Sequence, residues 1–457
     1  MKRSLEMGSQ SIGRLLWEFS LPAVIGMLLY SLYNIVDRIF VGRGVGSIGI
    51  AAITVAFPIM IILLAIYVFI GIGSTALISL RLGEQKYEEA EKVAGNGTLM
   101  LIILPLLISG IYFLFAERIL ILFGASPTVL PYALDFTHII ILGSVFGSLG
   151  FGMNNFIRAE GNPRFAMMTQ VIGALLNAVL NYIFIFKLGL GIKGSALATV
   201  CGQLFSTIWV LSYFLSGRSM MKIRLKNLKP QMSILIGIMS IGFAPFAMQI
   251  ASSAQQVILN NTLMIYGGDK ALSAVGIIMS IATLLFMPVI GVSQGAQPLI
   301  GYNYGAGQYE RVKETLKKAV ISGTYIVLAG FLLIHIWPEE IVGLFSKGDV
   351  ELTQITTHGL LIFLVMLPVI AFQILCSNYF QAVGKPVQST ILSLSRQVLL
   401  FIPLLLILPR FWGMNGVWLT APISDGIAVL LTAALIFAEM RGLPTTSSTT
   451  NKIRADQ

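Results

Sequence analysis

The stretch GIGSTALISLRLGEQKYEEAEKV, Gly71 to Val93, returns as SQGAQPLIGYNYGAGQYERVKET, Ser293 to Thr315, with Gly83 on Gly305 and Tyr87 on Tyr309. Other segments line up at an offset of 222 or 223. FAERILILFGAS (115–126) matches WPEEIVGLFSKG (337–348), NNFIRAEGNP (154–163) matches SNYFQAVGKP (377–386), and GIKGSALAT (191–199) matches GMNGVWLTA (413–421). Pro22 falls on Pro245 in the helices that open each half. The chain is a duplication, and its fold is set by what the duplicated unit can be.

That unit is apolar. Of 457 residues, 56% are hydrophobic and only 11% charged, with a mean hydropathy of +0.86, whereas a soluble domain carries roughly a quarter charged residues. A membrane-spanning helix needs about 20 mostly apolar residues, and the runs give twelve candidates: roughly 15–40, 51–80, 94–115, 135–157, 165–187, 195–216, 234–265, 271–302, 317–337, 357–381, 388–408 and 416–438. Each half holds six, an even number, so both halves enter from the same side and are related by an axis along the membrane normal. The expected fold is all-α and integral to the membrane, with twelve transmembrane helices in two six-helix lobes. In duplicated transporters of this plan the substrate site lies near the repeat interface. The expected division is a first lobe over 1–216, a cytoplasmic linker over 217–233, a second lobe over 234–440 and a polar, disordered cytoplasmic tail over 441–457.

The net charge of +10 does not point to nucleic acid, because Lys and Arg sit in short segments between apolar runs without interleaved aromatics. Loops facing anionic lipid explain them. With a cytoplasmic N-terminus the outer side takes only Arg38, Arg43, Arg118, Lys187, Lys193, Lys270, Lys347 and Arg410, leaving 22 of the 30 basic residues inside. Both termini are therefore expected in the cytoplasm. Cys201 and Cys376 lie in apolar runs, where thiols behave as small hydrophobes. The N-terminal segment has no small-residue cleavage site and reads as retained.

The loops RLGEQKYEEAEKV, RAEGNPRFAM and QAVGKPVQST, with SLYNIVDRIFVGRGVG in the first span, resemble the MATE (multidrug and toxic compound extrusion) transporters, closest to the bacterial branches with an aspartate in the first helix. The resemblance covers roughly Ile12 to Met440. It implies a two-lobed exporter with a V-shaped central cavity in a bacterial inner membrane. Such an exporter exchanges inward H⁺ or Na⁺ for outward amphipathic, often cationic drugs.

An ionisable group inside hydrocarbon is costly and functional by default. Asp37 and Asp425 are the informative acids of the spans. On the face of Asp37, helical spacing places Tyr30, Tyr33 and Asn34. Read from the residues, Asp37 is either a coupling carboxylate or an outer-interface residue paired with Arg38; the resemblance favours the first. It also matches Pro22 to the proline at which the first helix bends, Asn177 to an asparagine of the coupling network, and Thr199 to a threonine of that network. Where the family often has a second carboxylate, this chain has Asn181. One negative charge suits a single-proton site better than a tight Na⁺ site, so H⁺ is the preferred coupling ion, with Na⁺ at Asp37 the alternative.

In the second half, Gln249, Gln256 and Asn260 share one face of the seventh span without an acid, and with Tyr30, Tyr33 and Asn34 they are candidates for the substrate cavity. Asp37 aligns with Asn260 at the offset of 223 that pairs Pro22 with Pro245. Arg396 and Asp425 are the candidate buried ion pair of that half.

Two GxGxxG strings, GVGSIG (44–49) and GLGIKG (189–194), join spanning helices and follow no strand, which removes the dinucleotide reading. No Walker sequence and no HExxH occurs. The sequence thus predicts a cofactor-free antiporter, not an enzyme, with drug substrates and membrane lipid as partners, no nucleic acid and a monomeric state. A flippase for lipid-linked saccharides is the alternative, and a membrane-embedded enzyme or receptor a remote one.

Overall fold

The computed structural model describes residues 2–222, 224–346 and 349–444, and among them every element is helical. A short α1 (Lys2–Ser9) precedes α2 (Ile12–Gly44), α3 (Ser47–Gly83), α4 (Tyr87–Leu122), α5 (Leu130–Leu142), α6 (Ser144–Ala159), α7 (Pro163–Asn181) and α8 (Gly191–Leu215). The second half contains α9 (Met232–Gly305), α10 (Tyr309–Ile336), α11 (Pro338–Ser346), α12 (Val350–Phe363), α13 (Leu367–Ala382), α14 (Pro386–Leu394) and α15 (Ile402–Gly442). Two π-helical turns, Tyr182–Lys187 after α7 and Ser395–Phe401 after α14, continue their helices.

Among the described residues, nine helical stretches are long and apolar enough to cross a membrane, and two bent pairs, α5 with α6 at 50° and α12 with α13 at 51°, bring the total to eleven. The twelfth comes from the 57-residue stretch Pro386–Gly442, which breaks at Gly413, where φ is 54° and ψ −132°. The same device splits α9 at Gly268, with φ 63° and ψ −161°. Only glycine enters this backbone region without a steric penalty. Large apolar side chains such as Leu114, Leu122 and Ile265 stand more than 70% exposed on these helices, as lipid-facing residues must.

The repeated loops repeat their hydrogen bonds. After α6, Gly161 (φ 90°) and Asn162 donate back to Arg158 O and Ile157 O at 3.0 and 3.1 Å; after α13, Gly384 (φ 73°) and Lys385 donate to Gln381 O and Phe380 O at 3.2 and 2.8 Å. These are left-handed C-terminal caps that satisfy otherwise orphaned carbonyls. The turn after α3 differs in one respect: Gln85 takes φ 59° where its repeat mate Gly307 takes φ 70°. Gln85 is the only described non-glycine residue with positive φ.

Two compact units are present. The first comprises Met1–Ser9 and Ile25–Phe246, and the second comprises Gln10–Val24 and Ala247–Gln457. The boundaries therefore fall inside α2 and α9, just past Pro22 and Pro245, and the first turns of each helix belong with the opposite half of the sequence. Glycines make this possible. In the second unit a Cβ on Gly295 would lie 2.7 Å from the Ser20 backbone, and one on Gly291 would lie 2.6 Å from Val24 Cα. In the first unit a Cβ on Gly73 would lie 2.2 Å from Ile238 O, and one on Gly242 would lie 1.9 Å from Phe69 O. Gly73 is the repeat mate of Gly295, and Ser20 of Gly242, so the same backbone approach is built twice.

The linker is tied to the first unit. Asn96, fully buried on α4, donates to Asn227 O and Lys229 O at 3.3 Å and accepts from Gln231 N at 2.8 Å. Glu91 accepts from Lys222 N at 3.0 Å and from Asn227 Nδ2 at 3.3 Å. Glu160, 3% exposed, accepts from Ser219 Oγ at 2.6 Å and Met221 N at 2.7 Å. The tail over 445–457 lies outside the described residues.

Candidate cation-coupling site

Asp37 sits near the C-terminal end of α2, fifteen residues after Pro22, whose missing N–H opens the helix ladder. The π-helical turn after α7 packs on the same end of α2. A π turn widens the helix by one residue and here presents Ile185 and Phe186 to α2. A Cβ on Gly44 would lie 2.1 Å from Ile185 Cγ2, and Phe186 meets Phe40 edge-on at 5.9 Å between centroids. Asp37 is one turn before Phe40 and thereby reaches the end of α7.

There it joins a polar chain. Asn181 Nδ2 donates to Asp37 Oδ1 at 2.8 Å and to Asn177 Oδ1 at 2.8 Å. Asn177 Nδ2 donates to Thr199 Oγ1 at 3.3 Å. Ser195 Oγ donates to Asp37 Oδ1 at 3.2 Å. Asn177, Asn181, Ser195 and Thr199 are all buried, Asn181 and Ser195 completely. The spacing of four within each pair puts Asn177 and Asn181 on one face of α7, and Ser195 and Thr199 on one face of α8. The helices close on each other through glycines: a Cβ on Gly202 would lie 3.2 Å from Gly173 O, and one on Gly173 would lie 2.5 Å from Ser206 Oγ.

One buried acceptor of this polar chain has no hydrogen-bond donor among the described residues. It is Asn181 Oδ1, an acceptor inside a fully buried side chain. Such a group carries a desolvation cost unless something donates to it.

Sequence reasoning misses Ser195. Its signal is present, since it lies one helical turn before Thr199 in GIKGSALAT, a segment that serves there only to align the repeats. The side chains of Tyr30, Tyr33, Asn34 and Arg38 lie outside the described residues. In the second unit, Gln256 Nε2 donates to Asn260 Oδ1 at 2.8 Å within its own helix, Gln249 is half-buried, and neither glutamine meets a carboxylate among the contacts seen. Arg396 Nε lies 2.6 Å from Asp425 Oδ1, with the aspartate side chain 5% exposed. Arg396 belongs to the π turn Ser395–Phe401, whose neighbour Gln397 accepts from Ser252 Oγ of α9 at 3.1 Å. The first unit places the Asn181 amide and the Ser195 hydroxyl on its carboxylate, and the second places Arg396 on Asp425. No cluster of three or more His, Cys, Asp or Glu able to hold a metal occurs among the described residues.

The MatE family model matches residues 22–183 and 232–407, one segment in each half. The chain belongs to the MatE family. A MatE relative, the multidrug export protein MepA of Staphylococcus haemolyticus (strain JCSC1435), is 28% identical over 428 residues, covering 94% of this chain and 94% of that protein. MepA of Staphylococcus aureus (strain MSSA476) is 27% identical over 419 residues, with 92% of each chain covered. Among solved structures, MATE in the bent conformation superposes with a TM-score of 0.92 at 24% identity, covering 98% of this chain and 99% of that one. The MATE multidrug transporter DinF-BH superposes with a TM-score of 0.88 at 38% identity, covering 94% of this chain and 96% of that one. MatE membership makes this chain a multi-pass membrane transporter with twelve spanning helices in two lobes, not an enzyme.

Proposed function

We propose that this chain is a cation-coupled antiporter that exports amphipathic, often cationic drugs by alternating access, with Asp37 as its coupling carboxylate. The observation that carries the reading is the chain Asp37–Asn181–Asn177–Thr199, closed by Ser195. It is built around the acid that the first half has and the second half replaces with Asn260. The relatives named for multidrug export support the substrate class.

H⁺ is the preferred ion. A protonated Asp37 is a hydrogen-bond donor, and Asn181 Oδ1 is a buried acceptor beside it with no other donor. Rotating the Asn181 amide would exchange its Nδ2–H donation to Asp37 for acceptance from Asp37, so protonation reorders the chain toward Asn177 and Thr199. Asp37 is joined to α7 and α8 by these bonds, and Pro22 weakens α2 near the unit boundary; a change in them biases how α2 runs past that point. Drug release follows only if the protonated and ionised states differ in drug affinity. Both termini face the cytoplasm of a bacterial inner membrane in this reading, on the strength of the basic-residue asymmetry.

The test is transport by the purified chain in sealed vesicles. Ethidium or norfloxacin movement should follow an imposed proton gradient and be indifferent to a Na⁺ gradient at fixed pH. Movement driven by Na⁺ alone would replace H⁺ in this account, and movement under neither gradient would remove antiport.

A further inference from the structure

At the end of the second unit where α13 gives way to α14, a cavity of about 330 Å³ opens between Tyr304, Lys385, Gln388, Leu435, Glu439 and Leu443, with Phe380 and Tyr309 also lining it. Nothing in the coupling site touches it. Its volume lies at the lower end of the range for small-ligand sites, about 300 Å³ and upward.

The first unit shows what the fold does when this space is not needed. At the repeat offset of 223, Phe165 stands where Gln388 does, and at 222 Trp209 and Tyr213 stand where Leu431 and Leu435 do. Those three rings pack on one another: Phe165 stacks on Trp209 at 5.1 Å and meets Tyr213 at 4.8 Å. In the second unit Gln388 and Leu435 stand at two of those ring positions, and both line the cavity. Packed interiors rarely leave such a space unfilled.

The chemistry of the walls is amphipathic and dipolar. Lys385 Nζ lies 2.6 Å from both Oε1 and Oε2 of Glu439, and the Tyr379 hydroxyl donates to Oε1 at 3.3 Å. The lysine side chain is 34% exposed and the glutamate 11%, so the lysine is the more accessible partner of the pair. Tyr304 and Tyr309 meet edge-on at 5.5 Å beside them. Phe380, Leu435 and Ala438 supply an apolar wall. A lone anion would meet Glu439 and a lone cation Lys385; a zwitterion meets both with opposite charge. Tyrosine faces attract an ammonium, and the cavity lies beside the loop that joins two spanning helices, where lipid headgroups can reach it.

We propose that this cavity binds the zwitterionic headgroup of an aminophospholipid. The phosphate meets Lys385 and Gln388, the ammonium meets Glu439 and the two tyrosines, and the acyl chains leave along Leu435 and Ala438.

Native mass spectrometry of the full chain in detergent, titrated with phosphatidylethanolamine, phosphatidylglycerol or soluble phosphoethanolamine, tests this. Expected is one tight phosphatidylethanolamine, favoured about tenfold or more over phosphatidylglycerol, with phosphoethanolamine binding far more weakly. The pair Gln388→Phe with Leu435→Tyr puts the first unit's Phe165 and Tyr213 rings into the cavity wall and should abolish that preference while leaving the thermal midpoint unchanged. Equal binding of both lipids by the wild type, a result that needs no variant, would overturn the proposal. So would full phosphatidylethanolamine preference in the filled variant, and phosphoethanolamine binding as tightly as the lipid would reassign the site to a soluble ligand.

Discussion

The amide nitrogen of Asn181 lies 2.8 Å from Asp37 Oδ1, at the position where the family resemblance implies a second carboxylate. Restoring that acid sets up a direct comparison of coupling ions. Asn181→Asp places a second carboxylate beside Asp37 and Asn177 Oδ1, giving the oxygen-rich, doubly negative site that hard cations favour. Drug efflux by this variant is expected to become Na⁺-stimulated at fixed pH, with the wild type unaffected. Measurement in vesicles with and without an inward Na⁺ gradient decides it, and an Asn181→Asp variant blind to Na⁺ would argue against a single-charge explanation of ion choice.

Gln85 and Gly307 occupy the same turn of the two repeats with φ of 59° and 70°. A side chain in this region costs roughly 1–2 kcal/mol, partly offset because glycine loses more entropy on folding. Gln85→Gly should therefore stabilise the chain by up to about 1 kcal/mol, and Gly307→Gln should destabilise it by a similar amount. Thermal midpoints of the two variants in detergent should move in opposite directions.

The Arg396–Asp425 pair, at 2.6 Å with a nearly buried carboxylate, makes a different prediction. Removing one partner strands the other charge and typically costs about 3–5 kcal/mol, whereas replacing both is often close to neutral. Asp425→Asn is expected to lose folded protein and transport, and Arg396→Gln with Asp425→Asn to recover both. If the double variant folds but does not transport, the pair has a role in the cycle beyond packing.

Glu160 links pH to the linker. Burial raises its carboxyl above the ordinary value of 4.5, opposed by donation from Ser219 and the Met221 amide. The folded chain then keeps a proton that the unfolded chain has lost, so the stability it contributes is complete below the ordinary value and drains as pH rises through the folded one. Protection of the Met221 amide from hydrogen exchange, corrected for intrinsic rates, should fall with rising pH in the wild type. In Glu160→Gln, which stays neutral, it should not.

The fold is legible because apolar run length and an internal repeat are properties of one chain read along itself. Gly268 and Gly413 could be taken as loop glycines, yet their positive φ values break two very long helices into four spans. Asn177, Asn181 and Thr199 are visible as buried-span polar residues at helical spacing, but Ser195 is not, since a single serine in an apolar helix costs little and often bonds only its own backbone. Asn96 has no role that the sequence announces, and in the structure it clamps the linker. The exchange of the first turns of α2 and α9 between units has no sequence signal of its own, because it rests on backbone contact at Gly73 and Gly295. The cavity of the second unit is equally hidden, since it is lined by Gln388 and Leu435 where the first unit carries the rings Phe165 and Tyr213.

The central claim is that Asp37 couples ion entry to drug exit. Its most direct test is ethidium efflux in everted vesicles under an imposed proton gradient, wild type beside Asp37→Asn at equal expression, with gradient-free drug binding as the folding control. The account predicts that Asp37→Asn still binds ethidium but loses gradient-driven efflux, with a fall of at least about tenfold, equivalent to about 1.4 kcal/mol. Undiminished gradient-driven efflux in Asp37→Asn would contradict it.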